Sequence, residues 1–237
     1  MDYRLLAAFK DTFDGKIYRH RSSTHGDRVS RELYEDLYAV GKSKAFSEGV
    51  KNQEKLLNVS NRRRGVKARR GDGTFGEHVP GKNPIVVPGF SVARGTIANV
   101  EIGMEAKFLS KAMIKQVDRV MSDLEKQLKH FHRGAANPIT VAVVGINFAD
   151  HTVSYEGKKA WPTDGKDYKH PIQEAAEAER RLREEIAPKF YEFIILKYKA
   201  TNEEPFPFEW LNFADTYEDY GAALIRIARE YEVRFGE

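Results

Sequence analysis

The fold of this chain is decided by ten residues near its middle, Val100-Glu101-Ile102-Gly103-Met104-Glu105-Ala106-Lys107-Phe108-Leu109. Successive side chains of a β-strand point to opposite faces of a sheet. One face would carry Val100, Ile102, Met104 and Ala106, and the other would carry Glu101, Gly103, Glu105 and Lys107. The alternation predicts a strand whose apolar face enters a core and whose second face turns a carboxylate and a lysine toward a cleft or solvent.

The residues that follow this strand predict a βαβ unit. Apolar residues recur every three or four positions from Lys111 to His132, as in an amphipathic helix that Ser110 can cap. Residues 139–148 are apolar on both faces, which is typical of a strand buried in the middle of a sheet. Strand, helix and buried strand together indicate an α/β (α+β) fold with a central mixed sheet flanked by helices.

Weaker patterns complete the prediction. A helical region is expected over 27–59, interrupted at Gly41 and Gly49, and short strands are expected over 85–87 and 90–92. Further on we expect a helix over 171–185, a strand over 191–198 and a helix over 215–235. Residues 1–60 are thus predicted to be an N-terminal helical region packed on a core of residues 61–237, in one continuous domain.

The amino-acid composition limits which metal sites and catalytic groups the chain can form. The 237 residues include no cysteine, which excludes disulfides, thiolate metal sites and cysteine nucleophiles. Oxygen-ligated metals and acid–base chemistry remain. The sequence contains no apolar run long enough to cross a bilayer, and its first residues lack the layout of a signal peptide, so we expect a soluble cytoplasmic protein that makes no contact with membranes.

Positive charge is concentrated in the first half of the chain. Residues 1–135 hold 26 Lys and Arg against 16 Asp and Glu, whereas residues 136–237 hold 13 against 19. The densest run supplies six candidate phosphate contacts within nine positions, namely Arg62, Arg63, Arg64, Lys67, Arg69 and Arg70. An ordinary solvated loop is the alternative interpretation of this run.

The order of elements, with Glu105-Ala106-Lys107 at the end of a strand that leads into a helix, resembles the PD-(D/E)XK nuclease superfamily, which contains the restriction endonucleases. The resemblance covers roughly residues 65–150. It implies that Glu105 and the backbone carbonyl of Ala106 bind Mg²⁺, for which Mn²⁺ can substitute, and that Lys107 positions or activates the attacking water. A purely structural ion pair between Lys107 and a glutamate is the alternative.

The superfamily also uses an acidic residue from a preceding strand or turn, and this chain has no Pro-Asp pair before Glu105. Asp72 is our choice, because its flanking glycines let the backbone approach a phosphate beside the Arg-rich run. A structural turn residue is the alternative for Asp72. Glu101 and Glu77 are weaker candidates, as is Gln116, since some members of the superfamily place a glutamine on the following helix.

The resemblance implies a function. It predicts a Mg²⁺-dependent endonuclease of restriction-enzyme type that hydrolyses phosphodiester bonds of double-stranded DNA, in a prokaryotic or phage setting. A homodimer is expected, because two sites related by a two-fold axis can cut two antiparallel strands. A non-catalytic nucleic-acid-binding protein that uses the basic 62–70 segment is the alternative.

Overall fold

The computed structural model describes residues 2–19, 24–59, 62–63, 66–67, 71–133, 137–156, 158–166 and 171–236. Within these ranges the chain forms six α-helices, which are α1 (Arg4–Phe13), α2 (Thr24–Val40), α3 (Lys44–Lys51), α4 (Ile114–Phe131), α5 (Ala175–Arg181) and α6 (Phe213–Phe235). Its strands are β1 (Lys55–Asn58), β2 (Arg62–Arg63), β3 (Val66–Lys67), β4 (Gly73–Glu77), β5 (Arg94–Gly95), β6 (Ile102–Leu109), β7 (Ile139–Asn147), β8 (Val153–Glu156), β9 (Lys159–Pro162), β10 (Glu192–Lys199) and β11 (Glu209–Trp210).

Seven of these strands form one mixed sheet, in the order β11-β10-β7-β6-β4-β1-β5. Strands β6, β7 and β10 are mutually parallel in that order, and β4 is antiparallel to both β6 and β1. Helix α4 connects β6 to the parallel strand β7. The predicted α/β class and the βαβ unit are therefore confirmed.

Helices cover both faces of the sheet. One face packs against α1, α2, α3 and α6 in a core that includes Ile102, Met104 and Ala106 of β6. The other face packs against α4 and α5 in a second core that includes Leu109. All nine residues of β7 are buried, as expected for a strand covered on both sides. The N-terminal helices thus share a core with the sheet.

Strand directions bring several chain segments to one edge of the sheet. The carboxyl ends of β1, β6, β7 and β10 lie there, because these four strands run the same way, and β4 begins there because it runs the opposite way. We call this the carboxyl edge. The hairpin formed by β2 and β3 connects β1 to β4 and therefore belongs to the same edge.

The N-terminal helical prediction is correct only as far as Lys51. Gly41 separates α2 from α3 with a positive φ of 60°, as expected, but Gly49 lies inside α3. A Cβ at this position would come within 2.4 Å of Cγ of Lys55, so a larger residue there would displace the Lys55 side chain. Residues 55–58 are the strand β1 and not helix, since Leu56 and Leu57 are buried in the sheet. Helix α1 was not predicted.

Neither of the short strands expected over 85–87 and 90–92 forms. Prolines at 84 and 88 flank the first segment, and a proline has no N–H to donate to a strand ladder. Ile85 makes only an isolated bridge to Arg94 and is 52% exposed. The sheet instead recruits the less apolar segments β4 and β5.

Two helices begin later than their patterns indicate. Helix α4 starts at Ile114 with Met113 as its N-cap, so Ser110 is not the cap. Side chains of residues 173 and 174 accept from backbone amides at and just before its start: Gln173 Oε1 accepts from Ala112 N at 2.7 Å, and Glu174 Oε2 accepts from Ile114 N at 3.1 Å. Helix α5 begins at Ala175, directly after these two residues.

None of the helices in the described part of the chain has the length and hydrophobicity needed to span a bilayer.

Candidate functional site

Strand β6 places Glu105 and Lys107 on the face of the sheet that α4 covers. Gly103, on the same face, lies directly beneath the ring of Phe131, where a Cβ would come within 2.5 Å of that ring. Glu105 is only 3% exposed, and the side chain of Lys107 is 21% exposed. The expectation of an open cleft is therefore wrong for Glu105, because the end of α4 lies over it, while Lys107 stays within reach of solvent.

Asp72 lies beside Glu105. It precedes β4, whose Gly73 pairs with Met104 of β6, so the two carboxylates belong to neighbouring strands. The backbone N–H of Asp72 donates to Oε2 of Glu105 at 3.2 Å, and the N–H of Ala106 donates to Oδ2 of Asp72 at 2.8 Å. The structure thus brings together three sequence-predicted residues, Asp72, Glu105 and Ala106, through backbone hydrogen bonds.

The carbonyl of Ala106 faces the same way as its amide. In a strand, the N–H and C=O of one residue point toward the same neighbouring strand. Because the N–H of Ala106 reaches Asp72, its carbonyl oxygen also points to the side of β6 on which Asp72 lies. This orientation suits the role of the third oxygen ligand that the sequence assigned to Ala106.

Lys107 forms an ion pair within this group. Its Nζ lies 2.5 Å from Oε1 of Glu105, so the two oxygens of Glu105 face different partners, Lys107 and the amide of Asp72. The structural ion pair considered for Lys107 therefore exists. The ion pair also keeps the positive charge of Lys107 beside the carboxylates of Glu105 and Asp72, where a bound phosphate could contact the ammonium group.

The carboxyl group of Asp72 has a strongly raised pKa. Burial, and after it the nearby negative charge of Glu105, raise the pKa of Asp72 to about 7. The amide of Ala106 and the charge of Lys107 lower this pKa, and Asp27 of α2 raises it. The buried carboxylate of Glu105 and the partly buried carboxylate of Asp72 therefore repel each other when both are ionised, and a cation between them would relieve that repulsion.

A close approach of α2 holds the Asp72 carboxylate in place. Gly26, in the first turn of α2, lies so near that a Cβ on it would be 2.4 Å from Cγ of Asp72. Any larger residue at 26 would collide with the carboxylate. Glycine at this position is therefore a feature of the site, and the sequence offered no signal that linked it to Asp72.

The residues fit a divalent cation of the magnesium type. Mg²⁺ prefers oxygen ligands and keeps several of its waters, so one or two carboxylates are enough to hold it. Asp72, Glu105 and the carbonyl of Ala106 supply that donor set. In the described ranges no group of three or more His, Cys, Asp or Glu side chains is arranged to hold a metal, so a site built on side chains alone is not seen there.

Gln127 of α4 belongs to the same site and was missed. It is fully buried, and neither Oε1 nor Nε2 has a hydrogen-bond partner among the described residues. A Cβ on Gly71 would lie 2.8 Å from Nε2 of Gln127 and 3.0 Å from Oε2 of Glu105, so the amide lies close to that carboxylate. The helical periodicity does not identify it, because Gln127 lies among apolar positions without being apolar.

Gln116, the glutamine that the sequence suggested, lies in the first turn of α4. Gln127 lies eleven positions further along the chain, and a helix rises about 1.5 Å per residue, so the two are about 16 Å apart along the axis. Helix α4 runs back along the sheet, so its last turns lie over Gly103 and Glu105. Gln116 is therefore far from Glu105, at the opposite end of α4.

Glu101 is not a candidate ligand. It precedes β6, and its carboxylate pairs with Nζ of Lys55 and accepts a hydrogen bond from the hydroxyl of Tyr231 on α6. Because α6 packs on the face of the sheet opposite α4, Glu101 does not share a face with Glu105. The prediction extended regular strand alternation through a residue where the strand has not yet begun.

Glu77 also lies away from the site. It ends β4, whereas Asp72 precedes that strand, so the two are at opposite edges of the sheet. Its Oε2 accepts a hydrogen bond from Nδ2 of Asn99 at 2.9 Å.

The basic segment lies at the carboxyl edge, with Arg62, Arg63 and Lys67 in the β2–β3 hairpin. That hairpin leads through residues 68–71 to Asp72. Arg64, Arg69 and Arg70 lie outside the described residues.

Comparison with known protein families, with curated proteins and with solved structures found no significant match for this chain. The interpretation of the site therefore rests on its own geometry.

Proposed function

We propose that the protein is a Mg²⁺-dependent endonuclease that hydrolyses double-stranded DNA, of the PD-(D/E)XK or restriction-endonuclease kind. The observation that carries this proposal is the reciprocal pairing of Asp72 with the Glu105-Ala106 segment, beside Lys107. The strand–helix–strand order of β6, α4 and β7 agrees with the element order on which the resemblance was based.

Each residue has a role in this chemistry. Asp72, Glu105 and the carbonyl of Ala106 would hold the metal. Held there, Mg²⁺ would supply neutralisation of charge on the scissile phosphate and would make a water molecule more acidic. Lys107 lies against Oε1 of Glu105 and orients the attacking water and the phosphate from there. The buried amide of Gln127 lies close to Oε2 of Glu105 without a hydrogen bond to it.

DNA is the favoured substrate because of the charge around the site. The β2–β3 hairpin brings basic residues to the carboxyl edge, where a phosphate backbone must lie to reach Glu105 and Lys107. Cleavage of both strands would be completed by a homodimer with two such sites.

Cleavage assays on the purified protein test the proposal. We would incubate it with mixed-sequence duplex DNA in Mg²⁺ or in EDTA, alongside the variants Glu105→Ala and Lys107→Met. We expect Mg²⁺-dependent fragments from the wild type and none from either variant, while Lys107→Met still binds the metal. The control is Glu77→Ala, which alters a carboxylate at the opposite edge and should cleave normally.

The alternative function is nucleic-acid binding without catalysis. The location of the basic hairpin favours it, because that hairpin would bind phosphates whatever the state of Glu105. Equal, salt-sensitive DNA binding by the wild type and Glu105→Ala, with no cleavage by either in Mg²⁺ or Mn²⁺, would support this alternative against the nuclease.

A further inference from the structure

A second β-hairpin stands outside the main sheet. Strands β8 and β9 pair only with each other among the described strands, from Val153 opposite Pro162 to Glu156 opposite Lys159. Lys158 and Lys159 at its tip are exposed, as is Lys166 beyond it. The function proposed above makes no use of this hairpin.

The base of the hairpin is fixed at the carboxyl edge. The N–H of Val153 donates to the carbonyl of Thr201 at 2.8 Å, and Nδ2 of Asn202 donates to the carbonyl of Val153 at 2.7 Å. Both partners directly follow β10, so the hairpin begins where β10 ends. It therefore stands at the carboxyl edge beyond the end of β6, whereas Glu105, with Asp72 beside it, lies four residues before that end.

A buried lysine connects the hairpin to the strand of the candidate site. Lys111 lies four residues after Lys107 and is only 9% exposed. Its Nζ donates to Oγ of Ser154 in β8 at 3.2 Å. Since this contact is buried, it fixes the distance between the end of β6 and the base of the hairpin.

The two hairpins flank the candidate site. In the order of the sheet, β2 and β3 connect β1 to β4 on one side of β6. The β8–β9 hairpin follows β7 and is anchored at the end of β10, on the other side of β6. A duplex bound over Glu105 and Lys107 would therefore have one hairpin on each side of it in the order of the sheet.

The local charge of the second hairpin suits a phosphate backbone. The hairpin and the residues after it, 153–166, carry three lysines and two acids, Glu156 and Asp164. Several other acidic residues of the C-terminal third are paired on α5 and the π-helix after it, where Glu177 and Glu184 bind Arg180. A two-stranded β-ribbon also has the width to enter the major groove of DNA.

We infer that the β8–β9 hairpin is a second DNA-binding arm, which contacts the backbone of duplex DNA through Lys158 and Lys159 on the side of the site opposite the β2–β3 hairpin. This inference rests on the proposed function. It adds a second DNA-binding surface, in a part of the chain whose net charge is negative.

Salt-dependent binding tests it. We would measure the affinity of the full chain for a labelled mixed-sequence duplex by fluorescence anisotropy, in EDTA and at several salt concentrations. The test variant is Lys158→Gln/Lys159→Gln. The matched control is Lys51→Gln/Lys82→Gln, which removes two exposed lysines next to the start of β1 and the end of β4, at the opposite edge of the sheet.

Each phosphate contact contributes about 0.9 to the slope of log affinity against log salt. We expect the hairpin variant to lower that slope by about 1.8 and the control to leave it unchanged. Equal slopes for wild type, hairpin variant and control would overturn the second arm but leave the nuclease proposal standing. Failure of the proposed function would look different, because the wild type itself would then neither bind DNA nor cleave it in Mg²⁺.

Discussion

The backbone amide of Asp72 donates a hydrogen bond to Oε2 of Glu105 at 3.2 Å, while the amide of Ala106, next to Glu105, donates to the carboxylate of Asp72 at 2.8 Å. Each carboxylate is thus held by the backbone of the other's strand. This reciprocal arrangement fixes two like charges side by side in a mostly buried place, where they repel each other. Such a pair costs stability, and a bound cation would offset that cost.

The first prediction concerns the charge of Asp72. Its pKa is about 7 in the folded chain, mainly because the group is buried, against an ordinary value of 3.8. A carboxyl group whose pKa rises on folding binds more protons in the folded state than in the unfolded state. The unfolding free energy therefore falls as pH rises between the two pKa values. Between pH 5 and pH 7.5 the metal-free wild type should lose about 2 to 3 kcal/mol of unfolding free energy relative to Asp72→Asn.

Urea unfolding in EDTA at the two pH values measures this difference. If the difference in unfolding free energy between wild type and Asp72→Asn were the same at both pH values, the pKa of Asp72 would not be raised.

The second prediction concerns Gly26. In Gly26→Ala the new Cβ collides with the Asp72 carboxylate and displaces it. Alanine is favourable in a helix, so the unfolding free energy should stay within about 1 kcal/mol of wild type. Mg²⁺-dependent cleavage should fall at least about tenfold, because a misplacement of about 1 Å can reduce a rate far more than that. The control is Gly49→Ala, another helical glycine, whose Cβ meets only the flexible stem of Lys55. Normal cleavage by Gly26→Ala would mean that the position of Asp72 does not matter.

The third prediction concerns Gln127, whose buried amide has no hydrogen-bond partner among the described residues. Burying an unpaired polar group costs about 1 to 3 kcal/mol, so Gln127→Leu should be at least as stable as wild type. If the amide serves the site, the same variant should cleave DNA more slowly. Thermal unfolding and cleavage rates measure the two effects, and Gln116→Leu is the matched control. A variant that is more stable and fully active would assign Gln127 to the core alone.

The fourth prediction separates Glu101 from the site. Its carboxylate binds Lys55 and Tyr231 in a nearly buried cluster, so Glu101→Gln should lose about 2 kcal/mol of unfolding free energy by leaving Lys55 without its anion. Metal binding should be unaffected, because the group lies on the other face of the sheet. Urea unfolding and metal titration give the two values. Loss of metal binding in a folded Glu101→Gln would return Glu101 to the ligand set.

Sequence reasoning predicted the parts of the fold that depend on strong local patterns. Strand β6, helix α4 and strand β7 follow from alternation, helical periodicity and a fully apolar run, and the predicted elements lie within three residues of the observed ones. The failures have tertiary causes. Residues 55–58 became a strand because neighbouring strands buried Leu56 and Leu57, and the flanking prolines kept Ile85 out of the sheet.

The candidate site was predictable where it is local in sequence. Glu105 and Lys107 are two residues apart on one strand, so their proximity follows from strand geometry. The proximity of Asp72 was inferred from its glycines and the basic run, and the structure brings it beside Glu105. Gly26 and Gln127 could not be predicted, because their contacts depend on where α2 and α4 cross the sheet.

The central claim is that Asp72 and Glu105 together bind one divalent metal ion. Electron paramagnetic resonance of Mn²⁺ at pH 8, where Asp72 is ionised, counts bound ions directly in the wild type, in Asp72→Asn and in Glu105→Gln, with Glu101→Gln as control. We predict one ion per chain in the wild type and the control, displaceable by Mg²⁺, and a strongly weakened site in the other two variants. A wild type that binds no Mn²⁺, or equal binding in all four proteins, would contradict the claim.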